Sequence, residues 1–248
     1  MRRMGAVGIG IAVLAAAVAL GPAPAFAQSC QPQRTIQLGP GDRIGALTPG
    51  YGVAPLQDRE VILTFDDGPN PETTPRILDL LKARCLTATF FAVGEAAAKH
   101  PELVRRELAE GHTVGGHSIS HHDLTTLTMS EATEEITDGF VPLLAAGGLA
   151  NLFRFPQLNS TPALLNWLAR RGIAAVSADI DPWDWAADPP HETLARLKKQ
   201  LVEKRRGVIL LHDAQPNTAE LLPDLLDFLD GQGYRVVGLA GPGARSPD

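Results

Sequence analysis

The chain has 248 residues, 44% of them hydrophobic, with 22 basic and 28 acidic side chains and a formal net charge of −6. An acidic balance without any basic block excludes nucleic acid as the expected partner. The length and apolar content support one sizeable core, within the range of a single α/β barrel-like domain.

Residues 1–27 read as a targeting device. Arg2 and Arg3 precede an apolar run from Gly5 to Leu20, and Pro22-Ala23-Pro24-Ala25-Phe26-Ala27 ends in a small-x-small pattern, the three parts of a cleaved export signal. A permanent anchor is the alternative, although the run is near the lower length limit for a span; a lipoprotein acylated at Cys30 is another, although Ala27-Gln28-Ser29 fits its approach poorly. The expectation is cleavage after Ala27, a periplasmic or extracellular location and no permanent span. The mature chain would have 221 residues with 20 basic and 28 acidic side chains. Cys30 and Cys85 would then meet an oxidising compartment, where a disulfide between them is physically possible and a buried free Cys85 is the alternative. The sequence leaves the oligomeric state open.

Residues 28–57 are rich in Pro and Gly and predict an irregular lead-in with one short strand near Thr35 to Leu38. A regular alternation then begins. Val61-Ile62-Leu63-Thr64-Phe65 is a buried-strand pattern ending at the turn Asp66-Asp67-Gly68-Pro69, and Thr73 or Thr74 can cap a helix carrying Ile77, Leu78, Leu80 and Leu81. Ala88 to Ala92 is the next strand, followed by helix from about Glu95 to Glu110 with a new start at Pro101. His112 to Gly115 is a short strand, and a helix beginning at Ser130 runs to about Ala146. Leu152 to Phe155, Ile173 to Ser177, Val208 to Leu211 and Tyr234 to Val237 complete the strands, with helices at 163–171, about 190–204 and from Thr218 to Gly231 or Gly233. Residues 241–248 form a Gly/Pro-rich tail.

About seven strand-helix units with apolar strands indicate an α/β fold with a parallel sheet. An open doubly wound sheet and a closed barrel share this local signature. Asp66-Asp67, Arg154, Asp181, Asp184 and His212-Asp213 all follow candidate strands, and barrel enzymes collect their chemistry at that end; this favours a barrel-like closure over residues 58–240.

Two adjacent acids at a strand end repel unless solvent or a cation separates them. His117 and His121 stand at i and i+4, which on a helical turn would direct both imidazoles at one ion. With Asp67 they make a two-histidine, one-carboxylate set that leaves coordination positions open. His122 is the alternative ligand to His121, and is otherwise assigned to the rim. His212 is a candidate general acid with Asp184 as its carboxylate partner. Trp183 and Trp185 can form an apolar wall, and Arg154 can lock a carboxylate.

These residues, in this order, resemble the NodB-type polysaccharide deacetylase family over about residues 58 to 239. Thr64-Phe65-Asp66-Asp67-Gly68-Pro69 is similar to its first motif, His117-Ser118-Ile119-Ser120-His121 to the second and Arg154-Phe155-Pro156 to the start of the third. Asp181-Pro182-Trp183-Asp184-Trp185 is similar to the fourth and Leu210-Leu211-His212-Asp213 to the fifth. The resemblance implies a distorted, incomplete (β/α) barrel and a hydrolase that removes acetyl groups from carbohydrate. It implies Asp66 as base, Asp67, His117 and His121 as metal ligands, Arg154 as the residue orienting Asp66, and His212 as acid supported by Asp184. It further implies one divalent ion, zinc first, with cobalt, nickel or manganese as alternatives, and an acetylated glycan as partner. Phe155, Trp183 and Trp185 are expected to line the substrate.

The third motif departs from the family pattern. An aromatic residue and a glycine are expected after Pro156, and Gln157-Leu158 stands there instead. The oxyanion contact falls on the backbone N–H at the first of these positions, which Gln157 retains. Amide against ester preference and the glycan itself stay open: an N-acetylglucosamine glycan such as chitooligosaccharide or peptidoglycan, an O-acetylated xylan, or binding without catalysis.

Overall fold

The computed structural model describes Met1 and residues 33–243. Apart from Met1, the expected export signal of residues 1–27 therefore lies outside the described residues, as does Cys30. So does the tail beyond residue 243. Among the described residues, no helix is long and apolar enough to cross a membrane.

The sheet is organised around β3 (Glu60–Asp66), whose seven residues are all buried. Continuous burial follows from its place between β4 (Thr89–Ala92) and β8 (Gly207–His212), both parallel to it, with helices over the outer face. From β4 the sheet continues through β5 (Thr113–Gly116), β6 (Leu152–Phe153) and β7 (Ala174–Val176), and ends at β2 (Arg43–Ile44). The two-residue β9 (Arg235–Val236) also pairs with β3, which makes eight strands. The sheet curls without closing fully: a single bridge, Ile180 to Ile209, links the segment after β7 to β8. This is the incomplete barrel expected from the motif order.

Among the described residues, seven α-helices cover the strands. In α1 (Thr74–Ala83), Ile77, Leu78 and Leu81 are buried at helical spacing and pack with Leu63, Phe65 and Phe90 from the sheet. Pro101 separates α2 (Gly94–Lys99) from α3 (Pro101–Ala109), as its missing N–H requires. The helix expected from Ser130 begins earlier, as α4 (Met129–Ala145), because Thr128 and Glu131 form a reciprocal capping box. Thr161 caps α5 (Pro162–Arg170) by accepting from the Leu164 N–H. The last two are α6 (Pro190–Lys204) and α7 (Pro216–Gly231).

The lead-in is more ordered than its composition suggests. Its first strand, β1 (Thr35–Gln37), pairs in parallel with β10 (Gly238–Ala240), joining the two ends of the described chain. Its second strand is β2, at the sheet edge. Neither pairing has a local sequence signal, since both partners are distant in the chain. Cys85 is not a free thiol.

Candidate active site

At the C-terminal end of the strands lies a cavity of about 420 Å³ lined by Asp66, Asp67, His117, His121, Phe155, Gln157, Leu158, Asp181, Trp185, Leu210 and His212. Asp66 is the last residue of β3 and Asp67 the first of the turn. The change of conformation between them, to φ 72 at Asp67, turns Asp67 toward His117 and His121 and leaves Asp66 between Arg154 and His117, whose Nε2 is 3.6 Å from Asp66 Oδ2.

Asp67 faces the histidines. Its Oδ1 is 3.2 Å from His121 Nε2 and 3.5 Å from His117 Nε2, and one ligand atom from each of the three residues lies within 4.8 Å of the others. The same buried oxygen has no hydrogen-bond partner among the described residues. An unpaired buried carboxylate oxygen beside two ring nitrogens is costly without a cation, so these residues fit a divalent ion. Burial works to raise the Asp67 pKa, but the neighbouring imidazoles, His117 first and then His212 and His121, outweigh it and hold it at about 2. The ligand is therefore ionised.

The helical turn expected at 117–121 is not formed. His117 follows β5, and left-handed conformations at Ser118 (φ 62) and His121 (φ 62) fold the loop back. The His121 N–H donates to Ser118 Oγ at 2.8 Å, which fixes the reversal. His117 Nδ1 lies 2.8 Å from the Arg154 carbonyl. That acceptor selects the Nδ1–H tautomer and leaves the Nε2 lone pair for an ion. His122 points away to Ser120 and Glu135.

Asp66 is bound on its other side by Arg154. The fully buried guanidinium donates from Nη1 to Asp66 Oδ1 at 2.6 Å and to Thr64 Oγ1 at 2.8 Å. Nε and Nη2 donate to the carbonyls of Val176 and Ser177 at 3.1 and 2.9 Å. Arg154 also lies over the Phe91 ring, 4.3 Å from its centroid.

His212 closes β8 and presents its ring to the same cavity. Its Nδ1 is 2.8 Å from Asp184 Oδ1, and its backbone N–H donates to Asp184 Oδ2 at 2.8 Å. The Thr218 hydroxyl also donates to Asp184. Burial disfavours the imidazolium, but the Asp184 hydrogen bond and charge, with Asp66 and Asp67 behind them, push the His212 pKa up to about 9. The proton is retained at neutral pH.

Trp185 lines the cavity while remaining 57% exposed, and Phe155 is buried in its wall. Trp183 is 53% exposed beside Arg196 and is not among the lining residues. Burial raises the pKa of Asp181, another lining residue.

Asp213 had no assigned role in the sequence, yet it ties β8 to the Asp66-Asp67 turn. Its carboxylate accepts from the Gly68 N–H at 3.0 Å and from the Thr74 hydroxyl, while its carbonyl accepts from Thr73. Those threonine contacts replace the side-chain cap expected at the start of α1. A Cβ at Gly68 would overlap the Asp213 carboxylate, so a side chain there would displace it from the turn. The residue type was visible in sequence; the partner was not.

Two imidazoles and one carboxylate converge on an ion-sized focus, with a second carboxylate clamped next to it and a charged imidazole across the cavity. Such a site defines a metal-dependent hydrolase. Residues 54–176 match the polysaccharide deacetylase family profile. A chitooligosaccharide deacetylase from Bradyrhizobium sp. (strain ANU 289) is 38% identical over 161 residues, covering 64% of this chain and 72% of that protein. The peptidoglycan-N-acetylmuramic acid deacetylase PdaC of Bacillus subtilis is 36% identical over 189 residues, or 71% of this chain and 37% of PdaC. Among solved structures, the Bdellovibrio bacteriovorus peptidoglycan deacetylase Bd3279 superposes with a TM-score of 0.76 at 32% identity, covering 87% of this chain and 60% of that one. The chain belongs to the polysaccharide deacetylase family.

Proposed function

We propose that the protein removes N-acetyl groups from a glycan containing N-acetylglucosamine, a chitooligosaccharide or peptidoglycan, releasing acetate and leaving a free amine. The observation that carries this reading is the division of labour between neighbouring acids: Asp67 lies against both His117 and His121, whereas Asp66, although its Oδ2 is 3.6 Å from His117 Nε2, is held through Oδ1 by Arg154. A ligand and a base are needed side by side for hydrolysis, and their different partners provide both.

In this reading Asp67, His117 and His121 hold one divalent ion, with zinc first and cobalt, nickel or manganese as alternatives. When bound, the ion supplies Lewis-acid polarisation of the acetyl carbonyl and lowers the pKa of water. Asp66 takes the proton from the attacking water, and Arg154 keeps its carboxylate oriented for that transfer. The Gln157 N–H meets the charge developing on the carbonyl oxygen; one such donor is worth roughly 3 kcal/mol in other hydrolases. His212 gives its proton to the departing sugar nitrogen, and Asp184 stabilises the imidazolium beforehand. Trp185 and Phe155 supply an apolar wall for the acetyl methyl and sugar face, with Trp183 farther out on the approach.

The accompanying proposals are a signal peptide at 1–27, a catalytic domain at 58–240 and action in the periplasm or outside the cell. They rest on the charged and apolar pattern of the first residues and on the extent of the motifs. The relatives named as peptidoglycan deacetylases support an extracytoplasmic site of action.

The test is acetate release from chitooligosaccharides, peptidoglycan and acetylxylan with metal controlled. Release from an N-acetylated substrate, lost with chelator and restored by metal, is the expected result. Release from acetylxylan alone would replace the amidase reading with an esterase.

A further inference from the structure

The loop after Pro156 adopts a backbone that its residues do not favour. Gln157 (φ 57) and Leu158 (φ 58) are both left-handed, a conformation that costs an L residue energy and that glycine adopts freely. Successive residues of this kind persist only where surrounding contacts determine them. Within the loop, the Leu158 N–H donates to the Phe155 carbonyl at 3.0 Å and the Asn159 N–H to Pro156 at 3.1 Å. The further restraint comes from the N-terminal lead-in.

Thr48 is buried, and its hydroxyl donates to the Leu158 carbonyl at 3.1 Å. A hydroxyl has one proton, so the 2.6 Å contact between Thr48 Oγ1 and Ser177 Oγ is donated by Ser177. The Ser177 carbonyl in turn accepts from Arg154 Nη2, whose neighbouring Nη1 holds Asp66. One continuous set of hydrogen bonds thus runs from the lead-in to the oxyanion loop and to the base.

The lead-in is pinned tightly enough to act as a clasp. The Leu47 N–H donates to Ala178 at 2.8 Å, the Ser177 N–H to Ile44 at 2.7 Å, and the Ala46 N–H to Asp179 Oδ1 at 2.8 Å. Gly45 (φ 106) lies so close to the Ser177–Ala178 peptide that a Cβ would come within 2.5 Å of it. Thr48 precedes residue 54, where the family profile begins.

We infer that Thr48 is a positioning residue of this site: its hydroxyl holds Leu158 left-handed and thereby sets where the Gln157 N–H points. The inference rests on the reading above, in which that N–H stabilises the oxyanion. It assigns the lead-in a part in catalysis, as the outside restraint that a non-glycine residue at 158 requires.

The experiment compares Thr48→Val and Thr48→Ser in the wild-type and Leu158→Gly backgrounds, in the full chain loaded with zinc. Two readouts are taken: kcat and KM for acetate release, and backbone hydrogen exchange of residues 156–160. Thr48→Val should lower kcat by about tenfold, the worth of one hydrogen bond, with KM and bound zinc little changed, and should speed exchange in the loop. Thr48→Ser should restore both. In the Leu158→Gly background the same valine substitution should cost much less than in the wild type, because glycine needs no clasp.

Unchanged kcat and exchange in Thr48→Val would overturn the inference, as would an equal loss in both backgrounds. Should Thr48→Val not fold, Ser177→Ala removes the donor that fixes the Thr48 hydroxyl; it should lower kcat in the same direction, and wild-type kcat with wild-type exchange there would also overturn it. Absence of acetate release by the wild type would instead be a failure of the deacetylase reading, and the exchange comparison would still decide the role of Thr48.

Discussion

Arg154 and Asp66 form a buried ion pair at 2.6 Å, with side-chain exposures of 0% and 3%. The arginine is satisfied by four acceptors on two segments of the chain, β3 and the end of β7. Removing one member of such a pair leaves a buried charge unpaired, a loss of about 3–5 kcal/mol. Arg154→Met should therefore lower unfolding free energy by about that amount in denaturant titration and suppress acetate release. Arg154→Lys should rescue neither fully, since an ammonium cannot reproduce the fork. A stable and fully active Arg154→Met variant would remove Arg154 from the account.

His212 gives the account a pH dependence. Its folded pKa of about 9 lies above the ordinary 6.5, so the stability gained from the charged ring is complete below about 6.5 and is lost as pH rises through about 9. If the proton is also the catalytic acid, kcat/KM should fall on the alkaline side near pH 9. Asp184→Asn removes the partner that raises the pKa and should move that limb to lower pH. His212→Ala should harm an amide substrate more than an activated ester, whose leaving group needs less protonation. Equal loss on both substrates would show that His212 serves binding or folding alone.

The buried strands and the chemistry at their ends were legible because burial on both faces of a parallel strand writes a continuous apolar run, as at Val61 to Phe65 and Val208 to Leu211. The polar residues interrupting those runs marked one end of the barrel. The path that brings His117 to His121 was not legible: four-residue spacing suits a helical turn as well as the left-handed reversals at Ser118 and His121. Thr48 and Asp213 act through partners about 110 and 145 residues away, Leu158 and Gly68. Such contacts leave no periodicity, and the lead-in's Pro/Gly composition gave no reason to connect it with the site.

A second buried carboxylate bears on stability. Glu107 on α3 is 1% exposed and neither carboxylate oxygen has a hydrogen-bond partner among the described residues. Burial, and then the charge of Asp213, raise its pKa well above the ordinary 4.5; burial likewise pushes Asp213 up to about 7. An acid with a raised folded pKa keeps its proton longer in the native than in the unfolded state, so stability falls as pH rises above the unfolded value. Glu107→Gln removes one source of that slope. Thermal melts from pH 5 to 8 should show the variant gaining on the wild type as pH increases, by about 2–4 °C for each kcal/mol in a domain of this size. Parallel curves would show that the folded pKa of Glu107 is not raised above its unfolded value.

In the proposed reaction Asp66 and Asp67, adjacent in sequence, do different work. The most direct test of that division is zinc content and acetate release measured together on Asp66→Asn and Asp67→Ala. Asp66→Asn is expected to bind zinc stoichiometrically while turnover falls by roughly a hundredfold or more, and Asp67→Ala to lose both zinc and turnover. Near-normal turnover in Asp66→Asn, or stoichiometric zinc in Asp67→Ala, would contradict it.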